Sequence, residues 1–233
     1  MSAMLAMLAR KPVPGKVKPG LAEVLGAPSA AKLYRSFIMD LCERFAQLSV
    51  PERVLAYAPR GARKAVSLLA SRHWRLMLQE GSSSGSALAA VFEHAWQRGY
   101  QRAVVLLSDC PTLPGGFVID AFDRLLIDDV VLGPTTDGGV YLVGMSLERP
   151  ELLMGLDWDG PDLFDALVER ADAFGLILGL VPYWYEVEDP AGLDRLASHL
   201  RALALVGDDE LPRRTQTLLQ RLRLAKGEKD GAR

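Results

Sequence analysis

The sequence predicts an α/β fold, a mainly parallel central sheet with helices on both faces. Three observations predict it. Short apolar runs alternate with amphipathic segments along most of the chain, the pattern of repeated strand–helix units. Length, 233 residues with 49% apolar content, suits one domain with a full core. Two apolar runs end abruptly, at Ser108-Asp109-Cys110-Pro111 and at Gly133-Pro134, and an aspartate stands close to each end. In open α/β sheets ligands bind in the crevice outside strand ends. The chain therefore reads as built to hold a ligand there, an anionic one bound through a divalent metal.

The elements follow in order. Ala3 to Leu8 reads as the first strand, and Lys11 to Gly20 as a Gly/Pro/Lys-rich loop. Helical spacing runs from Ser29 to Leu48, with Leu33, Phe37, Leu41 and Phe45 on one face. Arg53 to Tyr57 is strand-like, Ala62 to Ala70 helical and Trp74 to Leu78 a short strand. Gly81 to Gly85 reads as a flexible loop, Ser86 to Arg98 as a helix, and Val104 to Leu107 as a strand rich in branched residues. Pro114 to Leu126 is the next helix. Val130 to Gly133 and Val140 to Met145 are strands flanking a turn at Asp137. Pro161 to Phe174 reads as a helix and Ile177 to Val187 as extended. Pro190 to Leu205 is a helix with proline in its first turn, where the missing N–H is tolerated. Leu211 to Leu224 is a basic amphipathic helix, read as a packing or dimer helix. Residues 1–224 form the single expected domain, and 225–233 an unstructured tail.

Composition excludes several classes. A net charge of -2 gives no global field for nucleic acid or an anionic membrane. No apolar run approaches the roughly 20 residues of a membrane span. The N-terminal run stops at Arg10-Lys11-Pro12, without a basic leader or a small-residue cleavage site, so it reads as a buried strand and not a signal peptide. Cys42 and Cys110 support no disulfide framework, and a reduced, cytoplasmic setting is expected. His73, His94 and His199 lack ligand spacing and receive no role.

Four groups of residues can carry chemistry, and each has a plain structural reading beside it. Asp109 suits a hard divalent cation bridging phosphates, and equally a cap or turn before the helix that follows Pro114. Asp137, with Gly138 and Gly139, suits close approach of a ligand, and equally a tight turn between strands. Lys11, Lys16 and Lys18, with Gly15, suit phosphates at the edge of the first strand, and equally a solvated loop. Glu186, Glu188 and Asp189 suit a metal, and equally the start of a helix.

Taken in order, Arg10 to Lys18 (RKPVPGKVK), Leu107 to Leu113 (LSDCPTL), Gly133 to Gly144 (GPTTDGGVYLVG) and Glu186 to Leu193 (EVEDPAGL) resemble the DUF2064 family. That family is grouped with GT-A glycosyltransferases. It is similar to nucleotidyltransferases such as molybdenum cofactor guanylyltransferase and 2-phospho-lactate guanylyltransferase. The resemblance implies a GT-A, Rossmann-like nucleotide-diphospho-sugar transferase fold and a metal-dependent glycosyltransferase. Its partners would be a nucleotide-sugar donor and a small-molecule acceptor, with a homodimer compatible. It implies Asp109 and Glu188 as ligands of Mg²⁺ or Mn²⁺ and Asp137 as the catalytic carboxylate at the acceptor side. Arg10, Lys11, Gly15, Lys18, Gly138 and Gly139 would lie about the nucleotide and its phosphates.

The chain also departs from the family's pattern. It has Lys18-Pro19-Gly20-Leu21 for the usual Lys-Thr-Arg-Leu, Ser83 to Ala87 for Asp-Leu-Gly-x-Arg, and Glu186-Val187-Glu188 for Asp-Val-Asp. Two guanidinium groups are thereby lost, each contributing about 1.5–3 kcal/mol to phosphate binding. Besides glycosyl transfer, the sequence therefore leaves open nucleotidyl transfer from an NTP and nucleotide binding without catalysis.

Overall fold

The first apolar run is buried along its length because it lies inside a seven-stranded sheet, flanked on both sides. The structure is a computed structural model that describes residues 2–81 and 83–230, with side chains described through residue 222. The strands are β1 (Ala3–Arg10), β2 (Glu52–Ala58), β3 (Arg75–Leu78), β4 (Arg102–Leu107), β5 (Val130–Pro134), β6 (Val140–Met145) and β7 (Leu178–Leu180). Their spatial order is β3-β2-β1-β4-β6-β5-β7. All neighbours pair in parallel except β6, which is antiparallel to β4 and β5. The chain thus builds outward from β1 to β3, then returns to β4 on the other side of β1. The reversal opens a crevice at the carboxyl ends of β1 and β4.

Helices cover both faces. They are α1 (Pro19–Leu25), α2 (Ala27–Ala46), α3 (Arg63–Ser67), α4 (Ser84–Gln97), α5 (Gly115–Arg124), α6 (Leu163–Ala173), α7 (Pro190–Val206) and α8 (Arg213–Asp230). Alternate residues of β1 enter different cores, as a period of two requires. Leu5, Met7 and Ala9 join Phe37, Leu41 and Phe45 of α2. Met4, Ala6 and Leu8 join Leu88, Val91 and Phe92 of α4. Burial on both faces explains why β1 and β4 read as continuous apolar runs.

Three expectations change. The loop expected to reach Gly20 ends earlier, because Pro19 opens α1 at a position where its missing N–H is harmless. The flexible loop expected over 81–85 is cut short by α4. Its cap Ser83 accepts from Ser86 N–H at 3.2 Å, while Ser86 Oγ accepts from Ser83 N–H at 3.0 Å. The extended stretch expected over 177–187 forms a strand only at Leu178–Leu180. Beyond Pro182 it keeps a single bridge, between Thr135 and Trp184.

The basic helix α8 packs on α2 of its own chain. Asp40, buried on α2, holds its first turn by accepting from Thr215 N–H at 2.8 Å and Arg214 N–H at 3.3 Å. Of the unstructured tail expected over 225–233, residues 225–230 instead continue α8, and residues 231–233 lie outside the described residues. Among the described residues no helix is long and apolar enough to cross a membrane.

Candidate functional site

Three predicted residues from three distant segments converge at the crevice. Lys18 follows β1 in the loop that leads into α1, Asp109 follows β4, and Glu188 precedes α7. Lys18 Nζ ion-pairs with both carboxylates. The lysine side chain is 2% exposed, whereas those of Asp109 and Glu188 keep 23% and 45%. The acids therefore face the open side and the cation is buried beneath them. The backbone ties the same segments together, since Val187 N–H donates to Asp109 O at 3.0 Å.

Lys18 holds φ 51°, ψ 59°, the left-handed region that a non-glycine residue enters at a cost. Its surroundings hold it there. Nζ lies 5.4 Å from the Tyr34 ring centroid and 5.9 Å from that of Phe37. Two residues on, Gly20 packs so closely that a Cβ would lie 2.5 Å from Glu188 O. Tyr34 closes the floor. Its hydroxyl shares a 2.7 Å hydrogen bond with Ser108 Oγ and accepts from Arg10 N–H at 3.2 Å, linking the ends of β1 and β4.

The site is electrostatically loaded. Burial pulls the Lys18 pKa down, but Asp109 and Glu188 outweigh it and hold the ammonium well above its ordinary value. Burial, reinforced by Asp109, Asp137 and Glu188 against Lys18, raises Glu186 to about 8. Burial raises Glu188 to about 7, with Asp109 adding to it and Lys18 opposing. The Tyr34 hydroxyl rises to about 12 through burial and the nearby Asp109. This edge therefore holds more negative charge than one lysine neutralises.

The alternative readings now separate. Asp109 is not the cap of α5. That place is taken by Glu210, from the segment before α8, which accepts from Gly115 N–H at 3.0 and 3.2 Å. Of the closing acids, Asp189 is the helix cap, accepting from Gly192 N–H at 2.7 Å, which leaves Glu188 to Lys18. Asp137 sits exposed in the β5–β6 turn, and its carboxylate takes no hydrogen bond or ion pair among the described residues. Gly138, at φ +92°, admits no side chain because Pro161 O packs against it, so this glycine is required by the fold. Gly139 lies beside Thr135 Oγ1. Arg10 is exposed and Lys11 half-buried at the end of β1, their side chains without a partner among the described residues. Gly15, at φ +74°, turns the exposed loop between them and Lys18.

One residue beneath the site, Tyr34, escaped the sequence reading. Tyr34 lies in an apolar helical stripe and reads as core, although a hydroxyl amid Leu33 and Phe37 needs a partner and signals one. Glu186 is visible only as one of several acids. His199, given no role, packs with an aromatic cluster, its Nδ1 2.9 Å from Tyr185 Oη. A cavity of about 860 Å³ lies elsewhere, between α2 and α8, lined by Asp40, Arg44, Glu210 and Arg214 among others. None of the predicted site residues lines it, and convergent charge places the site better than volume does.

Comparison with known proteins agrees with this architecture. The family model "Uncharacterized protein conserved in bacteria (DUF2064)" matches residues 41–160, just over half of the chain. A protein described as a "putative nucleotide-diphospho-sugar transferase", from Desulfovibrio desulfuricans G20, is 28% identical with a TM-score of 0.82. The alignment covers 95% of this chain and 99% of that one. CMP:2-keto-3-deoxy-manno-octonic acid synthetase, solved with CTP, is similar at 14% identity and TM-score 0.56, covering 87% and 99% of the two chains. Molybdopterin-guanine dinucleotide biosynthesis protein A from Archaeoglobus fulgidus is similar at 14% identity and TM-score 0.55, covering 85% and 99%. The latter two share the fold alone. No protein of curated function matches the sequence.

Proposed function

The chain belongs to the DUF2064 family and has the nucleotide-diphospho-sugar transferase fold, and from that premise we propose that it is a transferase that takes a sugar from a nucleotide-activated donor. One observation carries the reading. A buried lysine, paired with carboxylates from two distant segments, lies at the crevice where the strand order reverses.

Lys18, buried beneath Asp109 and Glu188, would hold the two carboxylates in place, and Arg10 and Lys11 at the end of β1 would supply the positive charge that meets a donor's diphosphate. Asp109 and Glu188 are the residues that would hold Mg²⁺ or Mn²⁺. Their hard carboxylate oxygens suit such an ion, and the raised Glu186 and Glu188 mark charge still to be balanced. Among the described residues no group of three or more metal-ligating side chains is gathered tightly enough to hold an ion by itself. Phosphate oxygens and water would complete the shell, as is usual for Mg²⁺. When bound, the ion supplies neutralisation of charge on the diphosphate leaving group. Asp137, exposed and free of partners among the described residues, is positioned to accept the proton of an acceptor hydroxyl.

Asp109→Asn tests this reading on the intact protein. The exchange keeps shape and removes charge. It is expected to abolish the Mg²⁺-dependent part of nucleotide-sugar binding in calorimetry and to lower the melting temperature, because the buried Lys18 ammonium is left with Glu188 alone. Undiminished metal-dependent binding in a folded variant would sink the assignment.

A second reading is supported by Gly20. Its contact with Glu188 O fills the space where the family carries an arginine, which favours nucleotide binding without turnover. Donor hydrolysis or transfer by the wild-type protein would eliminate it.

A further inference from the structure

The net charge of -2 conceals a local excess of cations at the β3 end of the sheet. Between Glu52 and Glu80 the chain carries Arg53, Arg60, Arg63, Lys64, Arg72 and Arg75 and no acidic residue. Arg53 turns inward and donates to Phe45 O at 2.8 Å and to Leu48 O. The other five are exposed. Arg75 pairs with Glu52 at 3.0 Å. The side chains of Arg60, Arg63, Lys64 and Arg72 have no hydrogen bond or ion pair among the described residues. Like charges gathered without partners repel one another, so this arrangement does not serve the fold.

The short helix α3 organises the surface. Ala62, Val66 and Leu69 fix it to the core. That leaves Arg63 and Ser67 as one outward row and Lys64 and Leu68 as the next. A groove of about 540 Å³ runs beside the first row, lined by Arg63, Ser67, Ser71, Arg72, Trp74 and Arg75 among others. Among the described residues no acid lines it. Three guanidinium groups with two hydroxyls match the oxygens of phosphate esters. Leu68, in the second row, is 70% exposed. Trp74 is buried, and its Nε1 donates to Cys42 O at 2.9 Å. The groove thus offers nucleic-acid bases no ring to stack on and a protein partner no aromatic anchor. An anionic bilayer suits both rows, because lipid phosphates meet the guanidinium groups and an apolar side chain enters the acyl boundary.

We propose that the α3–β3 surface docks this protein on an anionic phospholipid bilayer, with lipid phosphates in the groove and Leu68 inserted between headgroups. Each cation brought to such a surface strengthens binding about fivefold. None of Lys18, Asp109 and Glu188 lines the groove. Docking is therefore separate from nucleotide binding and does not rest on the transferase reading.

The test is sedimentation of the full chain with phosphatidylcholine vesicles, made with and without phosphatidylglycerol. The wild type is expected to bind the anionic vesicles and not the neutral ones, and to be released by salt. Arg63→Gln combined with Arg72→Gln should lower that partitioning about 25-fold. Leu68→Ser should lower it about tenfold. Arg98→Gln combined with Arg149→Gln removes the same charge from exposed positions outside the surface and should leave partitioning within about twofold. No preference of the wild type for the anionic vesicles overturns the proposal, and that comparison needs no variant to fold. Undiminished binding without Arg63 and Arg72 overturns it as well, and so does an equal loss in the Arg98 and Arg149 variant, which would reduce the effect to net charge. Duplex DNA and polyglutamate serve as soluble polyanions. Binding to either that matches the vesicles, depends on Arg63 and Arg72 and ignores Leu68→Ser marks a general polyanion surface and overturns the bilayer. Vesicle binding that ignores Leu68→Ser removes the insertion and overturns it too.

Discussion

Lys18 concentrates the energetic risk of this molecule in one side chain. Its ammonium is buried, its backbone is left-handed, and both of its ion-pair partners belong to other segments. Lys18→Met keeps the stem against Tyr34 and Phe37 and removes only the charge. A fully buried pair broken this way costs about 3–5 kcal/mol. Asp109 and Glu188 retain contact with water, so the expected loss is smaller, about 1–3 kcal/mol in a urea titration. Nucleotide affinity should fall as well. A variant as stable as wild type would show that the ammonium contributes nothing to the fold. At this scale the sequence was legible where a residue's type is unusual for its neighbourhood. Lys18 and Asp109 stand out among apolar, proline and glycine neighbours. Tyr34 does not, because its role comes from a hydrogen bond to a residue far away in the chain, Ser108. Which acid of the Glu186–Asp189 run caps and which pairs was equally hidden, since helix start and ion pair ask for the same residue types.

Elements here are fastened by polar contacts from distant parts of the chain. Asp40 on α2 accepts from two N–H groups in the first turn of α8. Arg44, one turn further along, is buried and donates to Pro111 O and Leu113 O, each at 2.9 Å, and to Glu210 O. The loop that carries Asp109 is thereby joined to the segment before α8. Asp40→Ala is expected to cost about 1–2 kcal/mol by loss of the cap, read as a lower urea midpoint. An unchanged midpoint would mean that α8 is held by apolar packing alone. The Thr112–Tyr185–His199 chain gives α7 a pH dependence. Burial holds the His199 pKa below its ordinary 6.5, so the unfolded chain binds its proton more tightly. The stability this imposes is complete above about pH 6.5 and is lost as pH falls through the folded value. His199→Gln should accordingly flatten the decline in melting temperature below pH 6.5 relative to wild type. Parallel curves for the two proteins would exclude His199 as the titrating group. Strands and long helices were readable from apolar spacing, but α1 was not. It is short, opens on Pro-Gly, and exists because Leu21 is fully buried against the core.

The molecule brings one buried cation and several carboxylates together at one carboxyl edge of a sheet that is packed by apolar side chains on both faces. Any ligand that binds the folded edge and not the unfolded chain must raise the melting temperature. At one hundred times its dissociation constant a donor nucleotide with Mg²⁺ should add about 2.7 kcal/mol, a rise of about 5–11 °C for a chain of this size. A flat response at millimolar concentration across nucleotides and nucleotide-sugars would count against a nucleotide site. The fold class, the parallel character of most of the sheet and the place of Asp109 at a strand end were all legible from alternating apolar runs. The β5–β6 hairpin was in view as a tight turn at Asp137, but the antiparallel pairing of β6 with β4 was not, because apolar spacing carries no strand direction. One contact has a bearing on how this sequence can vary. Gly20 lies against the carbonyl of Glu188, so the two positions cannot be exchanged independently. Gly20→Arg, made singly to regain the family's guanidinium, must dislodge the segment that presents Glu188 to Lys18. The effect of residue 20 is therefore epistatic with the path of the chain at 186–189. A route back to the family's pattern requires the strap to move first, and single-site scanning will record position 20 as intolerant for reasons unrelated to phosphate binding.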